Sequence, residues 1–419
     1  MRRVLERCAA LDVHKKQVTA CARMLGQGGE LEELTAEVST MAADLLALRD
    51  WLKELGVTHV AMEATGVYWK PVYYALEDDF ELLLVNAQHV KNVPGRKTDT
   101  SDAQWLCQLL ECGLLRPSFV PPKPIRELRD LTRYRKTLIR ERASEANRLQ
   151  KTLEDAGIKL SSVATDVLGV SGRLMLDALV SGTRDPEVLA ELAKGALRKK
   201  LPALKQALAG TFKPHHTLIV SHILAHLDYL DEAVANLGAE IERRLTPFAQ
   251  KAERLQTITG VAERNSQVIL AELGPDMSRF ASDRHAASWV AICPGNDESA
   301  GKRRSGKTRR GNPHLRAALI ESANAAARSR DTYLRAQYEQ VKRRRGHKKA
   351  IVAVAHSILI AAYHILKNDV PYRDLGGDYF ARRADPDRIA KRLVAQLERL
   401  GHNVTLHTST TPEAMAAPA

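Results

Sequence analysis

The sequence predicts an α/β domain followed by all-α regions, and three observations carry that expectation. Strand and helix signals alternate through the first part of the chain. A proline-rich break, PSFVPPKP at 117–124, then gives way to a long charged helical run. From about 257 the chain is rich in small residues at helical spacing. Alternation of the first kind builds a sheet with helices packed on it, whereas successive helices pack on one another.

Taken in order, AALDVHKKQVTACARML reads as a hairpin-like pair of strands, and MAADLLALRDWLKELG as a helix stopped by Gly56. HVAMEATG is a short strand ending in a turn, and FELLLVNA is another strand. Beyond the proline break, IRELRDLTRYRKTLIRERASEANRLQKTLEDAG is a long charged helix ending at Gly157. In a second run, Val220, Ile223, Leu227, Leu230, Val234, Leu237 and Ile241 alternate spacings of three and four. That register is a coiled-coil seam, either between the two long helices or between subunits. The expected organisation is an α/β domain at 1–122 and a coiled-coil region at 123–256 interrupted by a helical insertion at about 158–216. A helical domain at 257–370 and a partly disordered extension at 371–419, polar after about 403, follow.

The chain's 419 residues suffice for two or three domains with a buried core, and its 44% hydrophobic content suits a soluble protein. Lys and Arg number 63 against 50 Asp and Glu, a net charge of +13. Such a surplus favours polyanions, nucleic acid first and an anionic membrane surface second. Five cysteines without a CxxC pair argue against a disulfide framework or zinc ribbon and for a reducing cytosol. The N-terminus has no sustained apolar region of the signal-peptide kind. AIVAVAHSILIAAYHIL (350–366), interrupted by His356 and His364, falls short of the ~20 residues a membrane helix needs and reads as a buried helix. A cytoplasmic location without a membrane partner is expected.

Four carboxylates in the first domain stand at telling positions. Asp12 lies inside the first strand, where a charge is costly unless the strand opens onto a site. Glu63 ends the strand HVAME, and Asp99 and Asp102 are three apart at a helix start, which would give them one face. Together they could hold magnesium, a cation that takes carboxylate oxygens and orients phosphodiesters. Alternatively, Asp99 is an N-cap and Asp102 a first-turn acid.

GKRRSGKT (301–308) matches the written pattern of a phosphate-binding P-loop, which needs a helix starting at the Lys-Thr pair. Gly311 and Pro313 discourage a helix there, so ATP is not expected as a cofactor. The cations Lys302, Arg303, Arg304, Lys307, Arg309 and Arg310 instead suit an open loop along a nucleic-acid backbone. Just before them stands Ser299, either a nucleophile at a phosphate or an ordinary loop serine. The loop offers it cations but no base, so activation would have to come from the carboxylate cluster. Weaker signals are TITGVAERNSQVILAELG, similar to a helix-hairpin-helix turn with Ala262 in place of its second glycine, and KRRRGHKK (342–349), a nucleic-acid contact or a solvated surface. His222 and His226 share a helix face, but no acidic partner completes a zinc pattern, and they read as structural.

The segments LDVHKK, MEATGVYW, NAQHVKNVPGRKTDTSDAQWL, ITGVAERNSQVILAELG and ESAGKRRSGKTRRGNPHLRAAL, in this order, resemble the DEDD transposases of insertion sequences described as bridge-RNA-guided recombinases. The likeness covers most of residues 8–157 and 255–366. It implies an RNase H-type, RuvC-like N-terminal domain joined by a coiled coil to a helical C-terminal transposase domain. On the matching motifs the family's acids fall on Asp12, Glu63, Asp99 and Asp102, holding Mg2+, and its nucleophile, which becomes joined to DNA, on Ser299. The partners implied are donor and target DNA, a structured guide RNA, and further copies of the chain in a dimer or tetramer. Ala10 and Ala262, where relatives tend to have glycine, and the stretch 158–216 depart from the family pattern. A hydrolytic RuvC-like nuclease or Holliday-junction resolvase, with Ser299 passive, is the alternative.

Overall fold

A computed structural model of the chain describes residues 3–26, 29–64, 66–87, 90, 101–295, 298–303, 306–309, 311–383 and 386–406. The chain divides into two compact units, 1–121 and 122–419.

The first unit is built on a five-stranded sheet of β1 (Arg7–Val13), β2 (Gln17–Leu25), β3 (Leu31–Ser39), β4 (His59–Glu63) and β5 (Glu81–Val85). The strand order is β3-β2-β1-β4-β5. The first three strands form an antiparallel meander, while β4 and β5 run parallel to β1. Side chains alternate along a strand, so β1 sends Leu11 and Val13 to one face and Cys8 and Ala10 to the other. Helices α1 (Ala42–Glu54) and α2 (Trp69–Leu76) cover the first face through Leu45, Leu48, Leu52, Val72 and Leu76. Helix α3 (Asp102–Glu111) covers the second through Leu106, Cys107 and Leu110. Burial on both faces explains the nearly continuous apolar run of β1. Gly56, at φ +67°, ends α1 as its sequence position implies. This mixed α/β unit is consistent with a RuvC-like N-terminal domain.

The strand β3 has no counterpart in the sequence reading. It is the sheet's edge, mostly exposed and carrying Glu32, Glu33 and Glu37, so the apolar alternation that marks a half-buried strand is missing.

In the second unit, α4 (Lys123–Asp155) runs 33 residues and ends before Gly157, at φ +72°. Beyond it lie α5 (Leu160–Val163), α6 (Val170–Val180), α7 (Pro186–Glu191), a 3-10 turn at Gly195–Lys200 and α8 (Leu201–Leu208). Next comes α9 (Pro214–Leu245), 32 residues long. Arg244 pairs with Glu127, Arg142 with Asp231 and His216 with Asp155, so α9 runs back antiparallel along α4. The apolar seam thus packs within the chain: Val220, Ile223, Leu227, Leu230 and Ile241 are buried, while Val234 and Leu237 are half-buried. The segment between the long helices has its own core, with Leu160, Met175, Leu176, Leu189 and Leu204 closing on Leu149, Leu153, Val220 and Leu224 at the tip of the helix pair.

The remaining helices are α10 (Ala249–Gln256), α11 (Glu263–Leu273), α12 (Asp283–Val290), α13 (Pro313–Ala326), α14 (Tyr333–Arg345), α15 (His347–Asn368), α16 (Tyr379–Arg382) and α17 (Pro386–Arg399). The apolar stretch forms α15, which at 22 residues is long and apolar enough to cross a membrane; the expectation that it is too short was wrong, because helix extends beyond the apolar run at both ends. Its Ile351, Val354, Ile358, Leu359 and Tyr363 are buried in the unit's core. Gly260 sits at φ +87° in the turn between α10 and α11, and a side chain there would come 2.6 Å from the Ala326 backbone nitrogen. That glycine is spent on packing against α13 rather than on approach to a phosphate. Most of the polar tail, 407–419, lies outside the described residues.

Candidate functional site

The acidic corner of the first unit follows from strand register. On the parallel strands β1 and β4, Ala10 lies opposite Ala61 and Leu11 opposite Met62. One residue further, the register sets Asp12 beside Glu63. Ala10 and Ala61 face α3, so by alternation Asp12 and Glu63 do too, at the carboxyl ends of their strands. Asp102 is the first residue of α3, and all three acids are reached by solvent. Asp12 is 28% exposed and lies 3.2 Å from His14 Nε2.

The expected face-sharing of Asp99 and Asp102 involves a residue outside the described ones. Ser101 caps α3 in an extended conformation, its hydroxyl accepting from Gln104 N–H while the Gln104 side chain accepts from Ser101 N–H. The helix therefore opens after Asp99, which lies outside the described residues. The cap that could have been Asp99 is Ser101, and Asp102 is a first-turn acid as well as a member of the corner. A donor set made of carboxylate oxygens at a solvent-open corner fits a hard divalent cation.

In the second unit, Ser299 lies on a two-stranded hairpin of β6 (Glu298–Ser299) and β7 (Lys302–Arg303), paired with Lys302. The two turn residues, Ala300 at φ +50° and Gly301 at φ +73°, are both left-handed, as a tight two-residue hairpin turn requires. Glycine adopts that conformation freely, whereas alanine costs about 1–2 kcal/mol. Ala300→Gly should therefore stabilise the hairpin by up to about 1 kcal/mol, read as slower hydrogen exchange at the Lys302 amide. Unchanged or faster exchange would show that the turn holds no strain.

The base of this loop is clamped. Gly295 N–H donates to the Lys307 carbonyl at 2.9 Å, and Pro294 bridges Thr308. Arg309 donates to Ser288 Oγ at 2.9 Å. A side chain at Gly311 would meet the Val290 carbonyl oxygen at 2.5 Å, so only glycine fits. Asn312 caps α13, accepting from His314 and Leu315 N–H at 3.0 and 3.1 Å. Because α13 starts at Pro313, Lys307 and Thr308 precede no helix, and the P-loop geometry is not formed. Lys302, Lys307 and Arg309 are exposed, and Arg303 lies on β7; Arg304 and Arg310 are outside the described residues.

The sequence reading missed Glu272. This carboxylate is fully buried on α11 and takes a two-pronged bond from Arg133 at 2.7 and 2.8 Å. Arg129 lies 3.2 Å away, and Asn312 Nδ2 donates to it at 2.7 Å. Burial alone would raise its pKa, but the Arg133 and Arg129 guanidiniums and the Asn312 amide outweigh that and hold it below the ordinary carboxylate value. Burial pulls Arg129 down to about 10. Through Asn312 the network ties the downstream end of the serine loop to α4. An acid inside the apolar VILAEL was the available signal, since an unpaired charge there would be prohibitive.

Among the described residues, a group of three histidine and acid side chains comes together at Asp155, His215 and His216. Lys213 N–H donates to His216 Nδ1 at 3.1 Å, so the proton sits on Nε2 and faces Asp155 Oδ2 at 3.0 Å. Both ring nitrogens are thereby used, and the group reads as a structural hydrogen bond rather than a metal site.

Comparison with known proteins bears on both units. A family model described as a transposase matches residues 9–158. A second, described as the transposase IS116/IS110/IS902 family, matches residues 252–339 and so includes the Ser299 hairpin. Among curated proteins the chain is similar to "Putative transposase y4pF/y4sB" of Sinorhizobium fredii (strain NBRC 101917 / NGR234), 26% identical over 330 residues covering 76% of each chain.

Proposed function

Because the chain belongs to the IS110 family of insertion-sequence transposases, we propose that it is a DNA recombinase that cuts and exchanges strands through a covalent link between Ser299 and DNA. The observation that carries this reading is the hairpin: a two-residue turn beside Ser299, cations along its flank, and a base fixed to the protein core. The Ser299 hydroxyl would attack a DNA phosphorus, forming a serine phosphodiester and releasing a sugar hydroxyl. Attack on that link by another sugar hydroxyl restores the serine and joins a new strand. One phosphodiester replaces another at each step, so no nucleotide triphosphate is consumed. Lys302, Arg303, Arg304, Lys307, Arg309 and Arg310 would neutralise the phosphate charge.

Asp12, Glu63, Asp99 and Asp102 would hold Mg2+, which when bound supplies Lewis-acid activation of phosphate and nucleophile oxygens. The family likeness further supports guidance by a structured RNA paired to donor and target DNA, action as a dimer or tetramer, and a cytoplasmic setting.

The test is a denaturing gel of labelled DNA incubated with protein, the element's RNA and magnesium. Wild type should yield protein-linked DNA, and Ser299→Ala none. Equal cutting by both proteins with no adduct would replace this reading with hydrolysis by a RuvC-like nuclease.

A further inference from the structure

Helices α14 and α15 meet at Gly346, and the corner between them is densely cationic. Lys342, Arg343, Arg344 and Arg345 occupy the last turn of α14, and Lys348 and Lys349 the first turn of α15. All six are exposed. Among the described residues, the acid paired with any of them is Glu339, 4.0 Å from Lys342. The corner is held in shape from inside: Tyr338 Oη lies 2.8 Å from His347 Nδ1, and Gly346 takes φ +79°.

Helix electrostatics accounts for half of this pattern and conflicts with the other half. Cations in the final turn of α14 face the negative end of its dipole and stabilise it. Lys348 and Lys349 face the positive end of α15, whose first turn holds no acid, and there the same rule makes them destabilising. Stability of the fold therefore does not explain the two lysines, whereas a bound polyanion would reverse the sign of their contribution.

We propose that this corner docks the phosphate backbone of double-stranded DNA, a contact separate from the Ser299 hairpin; it rests on the reading of the chain as a DNA-acting enzyme. Duplex DNA rather than single-stranded nucleic acid is the occupant because base recognition on single strands uses exposed aromatic platforms. Of the two rings at this corner, Tyr338 is 7% exposed with Lys342 Nζ 5.3 Å from its centre, and His347 is spent edge-on against Tyr338, its Nδ1 hydrogen-bonded to the tyrosine hydroxyl, rather than standing free as a platform. The surface reads charge spacing, not bases, so its contribution is independent of sequence and sensitive to salt.

The experiment measures binding of the full chain to a short random-sequence DNA duplex across a salt series. Replacing Arg343, Arg344, Lys348 and Lys349 by Gln should flatten the slope of log affinity against log salt by about 2 to 4, roughly one unit for each phosphate no longer neutralised. A control with the same loss of charge on the inserted segment, Lys194, Arg198, Lys199 and Lys205 to Gln, should leave the slope in place. A second variant, Lys348→Glu with Lys349→Glu, separates binding from structure: thermal stability should hold or rise while duplex affinity falls at least tenfold. A wild-type slope in the quadruple variant, an equal fall in the control, or an effect confined to RNA duplexes would each overturn the proposal. If the corner variants keep the wild-type slope while wild-type protein still forms the Ser299 adduct, the docking surface fails and the recombinase reading stands.

Discussion

Asp12→Asn should lower magnesium-dependent DNA cleavage by about a thousandfold or more while the first unit remains folded. The substitution keeps the side chain's shape and removes one anionic oxygen from the corner formed by β1, β4 and α3. Cation-assisted stabilisation of a phosphoryl transition state is worth several kcal/mol, and each 1.36 kcal/mol is a factor of ten in rate. Folding should suffer little, because Asp12 is already reached by solvent and its partner is the exposed His14. Magnesium should raise the melting temperature of wild type by mass action on a folded-state site, and raise that of Asp12→Asn much less. Single-turnover cleavage and thermal unfolding with and without magnesium check both halves. Cleavage within tenfold of wild type would remove Asp12 from the site, and an equal thermal response in the two proteins would remove the cation from this corner.

The second large effect concerns stability. Glu272→Ala leaves Arg129, whose side chain is 11% exposed, and the half-buried Arg133 without this counter-charge, a change that costs about 3–5 kcal/mol for a fully buried pair and less where solvent reaches Arg133, and frees Asn312 from its anchor. The unfolding midpoint of the second unit should fall accordingly, with faster proteolysis within the 295–312 loop. The pH dependence has a definite sign. Glu272 has a folded pKa below its ordinary value of 4.5, so its stabilisation is complete above that value and is lost as pH falls through the lower folded one. Glu272→Gln should flatten this acid limb of the stability profile. An unaltered midpoint in Glu272→Ala would show that the network contributes nothing net.

Much of the fold was legible because periodicity and punctuation agreed. The β1–β2 hairpin, the stop at Gly56, the 33-residue helix ending before Gly157 and the Val220–Ile241 seam all combine an apolar period with a terminating glycine or a long register. Elements whose stability comes from tertiary context were not. The edge strand β3 is glutamate-rich, and the inserted segment, expected as helical, builds its core from helices too short for a period to mark them one by one. At the site, Asp12 and Glu63 were visible as acids at strand ends, but their common face depends on register between strands 51 residues apart in sequence. The N-cap was not legible, because Ser101 fills it and two cap candidates as close together as Asp99 and Ser101 cannot be ranked by spacing alone. Glu272 was hidden because its partners lie far away in sequence, on α4 and at Asn312.

The antiparallel pair α4 and α9 also acts as a ruler. At 1.5 Å per residue, 33 residues span about 50 Å, roughly one and a half turns of a B-form duplex. The inserted segment is carried at the far end of that span. Adding a residue to one helix alone would break register with its partner and rotate everything beyond it by about 100°. Reach in this protein can therefore change only in paired increments on both helices, whereas the cargo at the tip can be exchanged without altering the distance at which it is held.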